Sequence, residues 1–376
     1  MPQKRGGGSA EIKRDNRNRV YRFLYGREAL SNRDIAYALG ISQPTVIQNI
    51  KDLQGLGLVL ENGMFESTGG RKAKAYVCDP VARCALGLDI TKNHVAVVCV
   101  NLSGEIITST RVKCEFENTP AFFEGLGLLI EEQLNRAQLG RDRVLGVGIA
   151  LPAILSADRQ TVAYSPVLGF TGGSLCAFAD VISYPCTLYN DANAACFAEM
   201  WVRGGCENLV YLSLSNSVGG GVIQNGQMVY GQNQRGGEFG HMTIVPGGLP
   251  CYCGKNGCVD SYCRALRLSD MTGGSLEQFF QALRTHSPAH EALWEDYLYH
   301  LAIAVNDLRM AFDCDIILGG YVGSCLGDYI DRLQELVQTR NPFEPDISFL
   351  QVCRYKKEAT AVGAALDIVD RFFKNV

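Results

Sequence analysis

One order of elements occurs twice in this chain, and that repetition limits the folds open to it. Residues 85–90, 94–100 and 105–110 are successive apolar, β-branched runs, with Asn101-Leu-Ser-Gly104 turning between the last two. Residues 208–214, 219–224 and 227–230 repeat the order, with Asn225-Gly226 at the matching turn. Asn-Gly accepts the left-handed backbone that a two-residue hairpin needs. Behind the first set the pattern predicts a helix over 120–139, buried strands at 144–150 and 184–189, and a helix opening at Asn190-Asp191-Ala-Asn193. Behind the second set it predicts helices over 260–270, 275–285 and 288–312, a strand at 315–320, and helices near 325–338 and 358–373. Strands alternating with helices predict an α/β fold with ligands gathered at strand ends. The duplication predicts two lobes around a cleft.

Inside the second copy lies Gly236-Gly-Glu238-Phe-Gly-His241, followed by Cys251-Tyr-Cys253-Gly-Lys-Asn-Gly-Cys258-Val-Asp260. Three thiols and an imidazole are what a closed, structural zinc site requires, and Gly254 and Gly257 let the chain fold tightly around an ion. The plainer alternative is a set of ordinary thiols in a cysteine-rich chain. Zinc is the stronger expectation because the spacing is tight, which makes His241, Cys251, Cys253 and Cys258 the candidate ligands. Glu238 and Asp260 flank this segment as polar groups for a ligand. The other twelve of the fifteen cysteines are scattered singly through apolar runs, so reduced thiols in a cytoplasmic protein explain them better than disulfides do. No apolar run approaches the roughly 18 residues of a membrane span, and the polar N-terminus does not read as a signal peptide.

Charge is divided unevenly. Residues 1–80 carry 13 Lys+Arg against 8 Asp+Glu, and the remainder carries 22 against 31. A basic head on an acidic body directs attention to nucleic acid. Residues 1–10 read as a flexible leader. An amphipathic helix is expected from Asn16 to Gly26, and a second is expected behind the capping box of Ser31 and Asp34. A third should open at Ser42 with Pro44 in its first turn and bury Val46, Ile50, Leu53 and Leu56. Gln43, Thr45, Gln48 and Asn49 are expected to point outward. Asn62-Gly63 between two short runs predicts a hairpin, and three helices followed by a hairpin form a winged helix-turn-helix. An amide- and hydroxyl-rich outer face suits base edges in the major groove of double-stranded DNA. Arg71 and Lys72 supply cations for phosphates. The alternatives are a helical bundle with a solvated polar face, or a module that contacts protein.

Taken together, the winged helix, the duplicated lobes, Asn190-Asp191-Ala-Asn193, Gly237-Glu-Phe-Gly-His241 and Cys251-x-Cys253-x4-Cys258 resemble the ROK family (repressor, open reading frame, kinase), and its transcription-regulator branch most closely. The resemblance covers nearly the whole chain. It implies an actin/hexokinase-like fold with a winged helix-turn-helix domain over residues 1–79 and a sugar-kinase-like domain over 80–376. The lobes of that domain would comprise 85–190 with the C-terminal helix, and 191–360. It also implies a structural zinc on His241, Cys251, Cys253 and Cys258, and a sugar held by Asn190, Asp191, Glu238 and His241, with Asp260 as a fifth contact. Asp260 stands where the family usually has glutamate, and Val167 where relatives often have asparagine.

In the family's kinases the counterpart of Asp191 is the general base. Phosphoryl transfer, however, depends mainly on positioning and neutralising phosphates. The family's first phosphate loop reads Asp-x-Gly-Gly-Thr, whereas this chain has Asp89-Ile-Thr91-Lys92-Asn93. Asn216-Ser217-Val-Gly219 replaces Thr-Gly-x-Gly, and Tyr321 follows Gly319-Gly320 where a third glycine is frequent. Without those glycines the backbone cannot approach phosphates closely. The expectation is therefore a sugar-responsive DNA-binding regulator, most simply a repressor, acting as a homodimer or homotetramer without catalysis and with Asp191 as a vestigial base. The alternative is an ATP-dependent, glucokinase-like sugar kinase carrying a DNA-binding head.

Overall fold

The structure is a computed structural model that describes residues 9–65 and 72–376, so Arg71 and most of the expected leader lie outside the described residues. Three helices, Ser9–Leu24, Asn32–Leu39 and Gln43–Gly55, open the chain. The second starts as its sequence directs. Ser31 accepts the Asp34 amide, and the Asp34 carboxylate accepts the Ser31 amide in return. The third is capped by Ser42, which accepts the Thr45 amide. Val46, Ile50 and Leu53 are buried as expected; Leu56, expected with them, caps the helix end and is 42% exposed, whereas Asn49, expected outside, is 2% exposed.

The wing differs from its prediction. Val59–Met64 pairs antiparallel with Lys74–Cys78, and Asn62 and Gly63 lie inside the first of these strands instead of turning between two. The register slips by one residue between Glu61 and Met64, and Gly63 takes a φ of 80°. This is a β-bulge with glycine in the left-handed position. Asn-Gly supplied the backbone freedom predicted for it, but the freedom kinks a strand. Leu30 bridges to Tyr76 and extends this small sheet.

Two five-stranded sheets follow, with one topology. The first runs Cys186–Asn190, Val144–Leu151, Cys84–Ile90, His94–Asn101, Ile106–Lys113 across the sheet. The second runs Leu350–Val352, Asp315–Gly319, Leu209–Leu214, Val218–Gln224, Gln227–Met228. In each, the three leading strands form an antiparallel meander and two later strands add in parallel. Asn225 and Gly226 both adopt positive φ at the predicted tight turn. The internal duplication is thus present at the level of strand order.

Each copy ends in a helix that packs on the other copy's sheet. Asp191–Val202 lies on the second sheet, and the C-terminal helix Ala359–Asn375 lies on the first. The two helices cross at very close range. A Cβ on Gly363 would fall 1.7 Å from the Ala194 carbonyl oxygen, so only glycine allows the contact. A small three-stranded sheet, Ile154–Leu155, Thr161–Tyr164 and Gly173–Ser174, is inserted in the first copy and was not predicted. All fifteen cysteines are free thiols, and among the described residues no helix is long and apolar enough to cross a membrane.

Candidate functional site

A cleft of about 410 Å³ opens between the copies, lined by Asn190, Asp191, Glu238 and His241 together with Val167 and Tyr252. Four of the five predicted sugar contacts are therefore brought together. Asn190 ends the last strand of the first sheet and caps the crossing helix. Its Oδ1 accepts the Asn193 amide at 3.0 Å, and its Nδ2 donates to the Ala153 carbonyl at 3.1 Å. Both capping and anchoring leave one lone pair and one N–H of the amide for a ligand. Asp191, the next residue, accepts its neighbour Ala192's amide at 2.9 Å. Burial, reinforced by the nearby Asp89 carboxylate, pushes Asp191 up to about 7. Asp89, buried at the end of its strand, is itself raised to about 6 by desolvation, with Arg111 opposing. Near neutral pH Asp191 can thus either accept a hydroxyl proton or donate a hydrogen bond.

Glu238 is positioned by a glycine pair. Gly237 has a φ of 90°, and a Cβ there would meet the Gly220 carbonyl at 2.4 Å. Burial raises the Glu238 carboxyl, with His241 and Arg235 opposing the rise. Asp260 departs from its prediction. It is 0% exposed, does not line the cleft, and accepts the Val218 amide at 2.7 Å. Its side chain is one methylene shorter than glutamate's, and its Oδ1 is committed to fixing the backbone of the loop below the cleft.

His241, Cys251, Cys253 and Cys258 converge, with their ligand atoms all within 4.8 Å of one another. Cys251 Sγ lies 3.7 Å from His241 Nδ1, and Cys253 Sγ lies 3.7 Å from Cys258 Sγ. Tetrahedral zinc with bonds of about 2.3 Å to sulfur sets its thiolates about 3.8 Å apart, so the spacing of the cluster is compatible with such an ion. The cluster could hold a metal. His241 would bind through Nδ1, and its Nε2 stands 3.2 Å from the Tyr252 hydroxyl. Tyr252 was not anticipated. Its only sequence signal is an aromatic ring between two cysteines, and it engages the nitrogen expected to face a ligand directly.

Beyond Asp89 the loop closes on itself. Thr91 Oγ1 donates to the His94 carbonyl and accepts the His94 amide, while the Lys92 and Asn93 carbonyls accept the Phe116 and Cys114 amides. Across from it, the Tyr321 hydroxyl accepts from Arg111 at 2.9 Å, with the guanidinium 5.4 Å from the ring centre. This pair joins the first sheet's edge to the turn that follows Gly319.

In the head, Gln43, Pro44 and Gln48 are exposed, and Thr45 is half-buried and shares a 2.8 Å hydrogen bond with Ser42. Gln48 donates to Asp52. Asn49 was expected on the outer face. Instead it turns inward and donates to the Thr45 carbonyl at 2.8 Å. It lies three residues after Val46 and so shares the buried stripe; Ile47, 51% exposed, takes the outer position. Lys72 is exposed.

Fold and site together define a two-lobed, sugar-kinase-type body with a three-helix head of helix-turn-helix type. The chain belongs to the ROK family, whose model matches residues 85–370. A xylose repressor of Caldicellulosiruptor bescii is 22% identical over 388 residues, covering 96% of this chain and 97% of that protein. The crystal structure of a ROK family transcriptional regulator, a homologue of the E. coli MLC protein, superposes with a TM-score of 0.77 at 20% identity, covering 97% of each chain. A ROK hexokinase from Thermus thermophilus superposes at 0.63 with 26% identity, covering 78% of this chain and 100% of its own. The hexokinase is matched by the body, whereas the two regulators are matched along head and body alike.

Proposed function

We propose that this protein is a sugar-responsive transcriptional repressor, with a winged helix-turn-helix in residues 1–79 and a body that binds a monosaccharide or sugar derivative without phosphorylating it. The observation that carries this reading is the asymmetry of the cleft. On one side Asn190, Asp191, Glu238 and His241 converge on one space, as vicinal hydroxyls require. On the other side Thr91 is bonded to His94, the Phe116 and Cys114 amides hold the Lys92 and Asn93 carbonyls, no glycine lies between Asp89 and His94, and Tyr321 and Arg111 close over the neighbouring turn. A triphosphate needs free backbone amides and glycine there. Full-length similarity to a xylose repressor supports the same reading.

His241, Cys251, Cys253 and Cys258 would hold a zinc ion, which supplies a structural staple for the segment carrying Glu238. Gln43, Pro44, Thr45 and Gln48 would face DNA bases, with Arg71 and Lys72 on phosphates. Two heads of a dimer would engage two half-sites, and a sugar would alter their spacing by favouring one lobe arrangement. The test is fluorescence anisotropy with duplexes that the full chain selects from a randomised library, titrated with D-xylose, D-glucose and N-acetyl-D-glucosamine. At least one sugar should weaken DNA binding tenfold or more, and Gln48→Ala should abolish DNA binding while sugar binding persists. A second reading, an active kinase, is favoured by the Asp191 carboxyl lying near 7 and by similarity to a hexokinase. Sugar-dependent ADP release that disappears in Asp191→Asn would replace the first reading with the second.

A further inference from the structure

The head is fused to the body through a shared core. Val20, Tyr21 and Leu24 of the first helix are buried in one cluster with Leu366, Val369 and Phe373 of the C-terminal helix. Polar contacts reinforce this seam. Asn18 and Arg22 donate to the Lys374 and Phe373 carbonyls, each at 3.1 Å, and the Tyr25 hydroxyl donates to the Leu102 carbonyl at 2.6 Å. Phe373, 6% exposed, is its centre, with the Tyr25 ring at 4.5 Å and the Tyr21 ring at 5.5 Å.

On its remaining side Phe373 stacks against Trp201, with centroids 6.1 Å apart and planes at 13°. Trp201 ends the crossing helix Asp191–Val202, and the opposite end of that helix is Asn190 and Asp191 in the cleft. Twelve helical residues span about 18 Å as a rigid rod. The rod has no slack where it crosses the C-terminal helix, because Gly363 meets the Ala194 carbonyl backbone to backbone. Its far end is held as well, since a Cβ on Gly104 would fall 2.8 Å from the indole nitrogen. Packed interfaces of this kind shift between discrete arrangements and do not deform gradually.

We propose that effector occupancy of the cleft is transmitted to the DNA-binding head through this helix, from Asn190 and Asp191 at one end, through Trp201 and Phe373, to Tyr21 of the first head helix and Tyr25 just beyond its end. This inference rests on the sugar-responsive reading above and adds the route of its regulation. Trp201 and Phe373 touch neither sugar nor DNA; they are positioning residues. A ligand that pulls the cap of the rod toward Glu238 rotates its indole against Phe373. Tyr21 and Tyr25 follow, because the ring on which they sit has moved.

The test uses the full chain with D-xylose, D-glucose and N-acetyl-D-glucosamine as probes. In the wild type, hydrogen exchange with saturating sugar should change at 198–203, 369–376 and 18–26 as well as at the cleft, without DNA present. In Phe373→Leu, sugar affinity and sugar-free DNA affinity should stay within about threefold of wild type, while the sugar-induced change in DNA affinity drops from tenfold or more to under twofold. Trp201→Phe, which keeps a stacked ring, should retain most of the response. Exchange changes confined to the cleft, or a full response in a folded Phe373→Leu protein, would overturn the route while leaving the sugar-responsive reading intact. If all three sugars left both DNA affinity and exchange untouched, the reading itself would fall and the route with it.

Discussion

At the level of single residues, Asp191 shows how environment overrides residue type. An ordinary carboxyl is ionised well below neutral pH, but burial beside Asp89 raises this one to about 7, with a smaller push from Glu238. The sign of the linkage follows. The folded state holds this proton over a range where the unfolded chain has released it, so the contribution is full below about pH 4 and is lost as pH rises through about 7. Asp191→Asn removes the need to ionise. Its thermal midpoint should therefore exceed that of wild type by a margin that widens from pH 4 to pH 7, read by scanning fluorimetry across that range. The same variant should lose sugar affinity, because one of the two carboxylate oxygens that accept from hydroxyls becomes an NH2 donor. Asn190, Asp191, Glu238 and His241 were expected at the site from the family resemblance, and the cleft gathers all four, each set by a local geometry: a strand end, a helix cap, a glycine pair, a cysteine-rich loop. Asn49 was misjudged because its polarity was weighed above its place on the Val46–Ile50–Leu53 stripe.

Among the elements, the segment from Gly236 to Cys258 carries the clearest expectation. It has little regular structure beyond a 3-10 turn at Phe239–His241, and its shape depends on isolated bridges such as Thr243 to Cys258 and Pro250 to Asn256. A metal on the four converging ligands would contribute much of its rigidity. Cys253→Ser should lower bound zinc, measured by plasma mass spectrometry, and should raise hydrogen exchange over 236–258 while leaving 32–55 protected. Zinc content and sugar response that both survived the change would refute the staple. The succession of long strands was legible because most of them carry an apolar or β-branched run, whereas the three-residue edge strand Leu350–Val352 was not predicted. The three-stranded insertion was not, since strands of two to four residues within Ser- and Gly-rich sequence show no period to read. The wing was half legible: the glycine's freedom was correctly inferred, but a bulge and a turn demand the same dihedral angle.

For the whole molecule, the join between head and body reads differently in sequence and in space. Residues 80–83 have the composition of a linker, yet Ala82 is buried, Pro80 accepts the Leu102 amide, Arg83 donates to the Leu56 carbonyl, and Arg143 donates to the Val81 carbonyl. Composition is local, whereas the partners that turn this stretch into a packed seam, Leu56, Leu102 and Arg143, lie well outside it in sequence, and Ala82 joins the core cluster that also holds Phe373 and Val376. A second such long-range device is Glu199, on the buried side of the crossing helix. It is 0% exposed, its Oε1 accepts the Arg354 and Tyr355 amides at 2.8 and 2.9 Å, and its other oxygen lies 3.3 Å from Arg203. The chain immediately before the C-terminal helix is thereby tied to the helix that starts in the cleft. Removing this buried carboxylate leaves two amides unsatisfied and takes from Arg203 its counter-charge, though that side chain still donates to Gln351 and Val352, a loss of about 3 kcal/mol. Glu199→Ala should therefore lower the urea midpoint of the whole body in one cooperative step, because the helices it joins pack on both sheets. If only a local increase in exchange near 354–355 appeared, with the global midpoint unchanged, the two copies would be less tightly coupled than their crossed helices indicate. Glu199→Gln keeps an oxygen that can accept both amides but loses the charge facing Arg203, and should recover part of the loss.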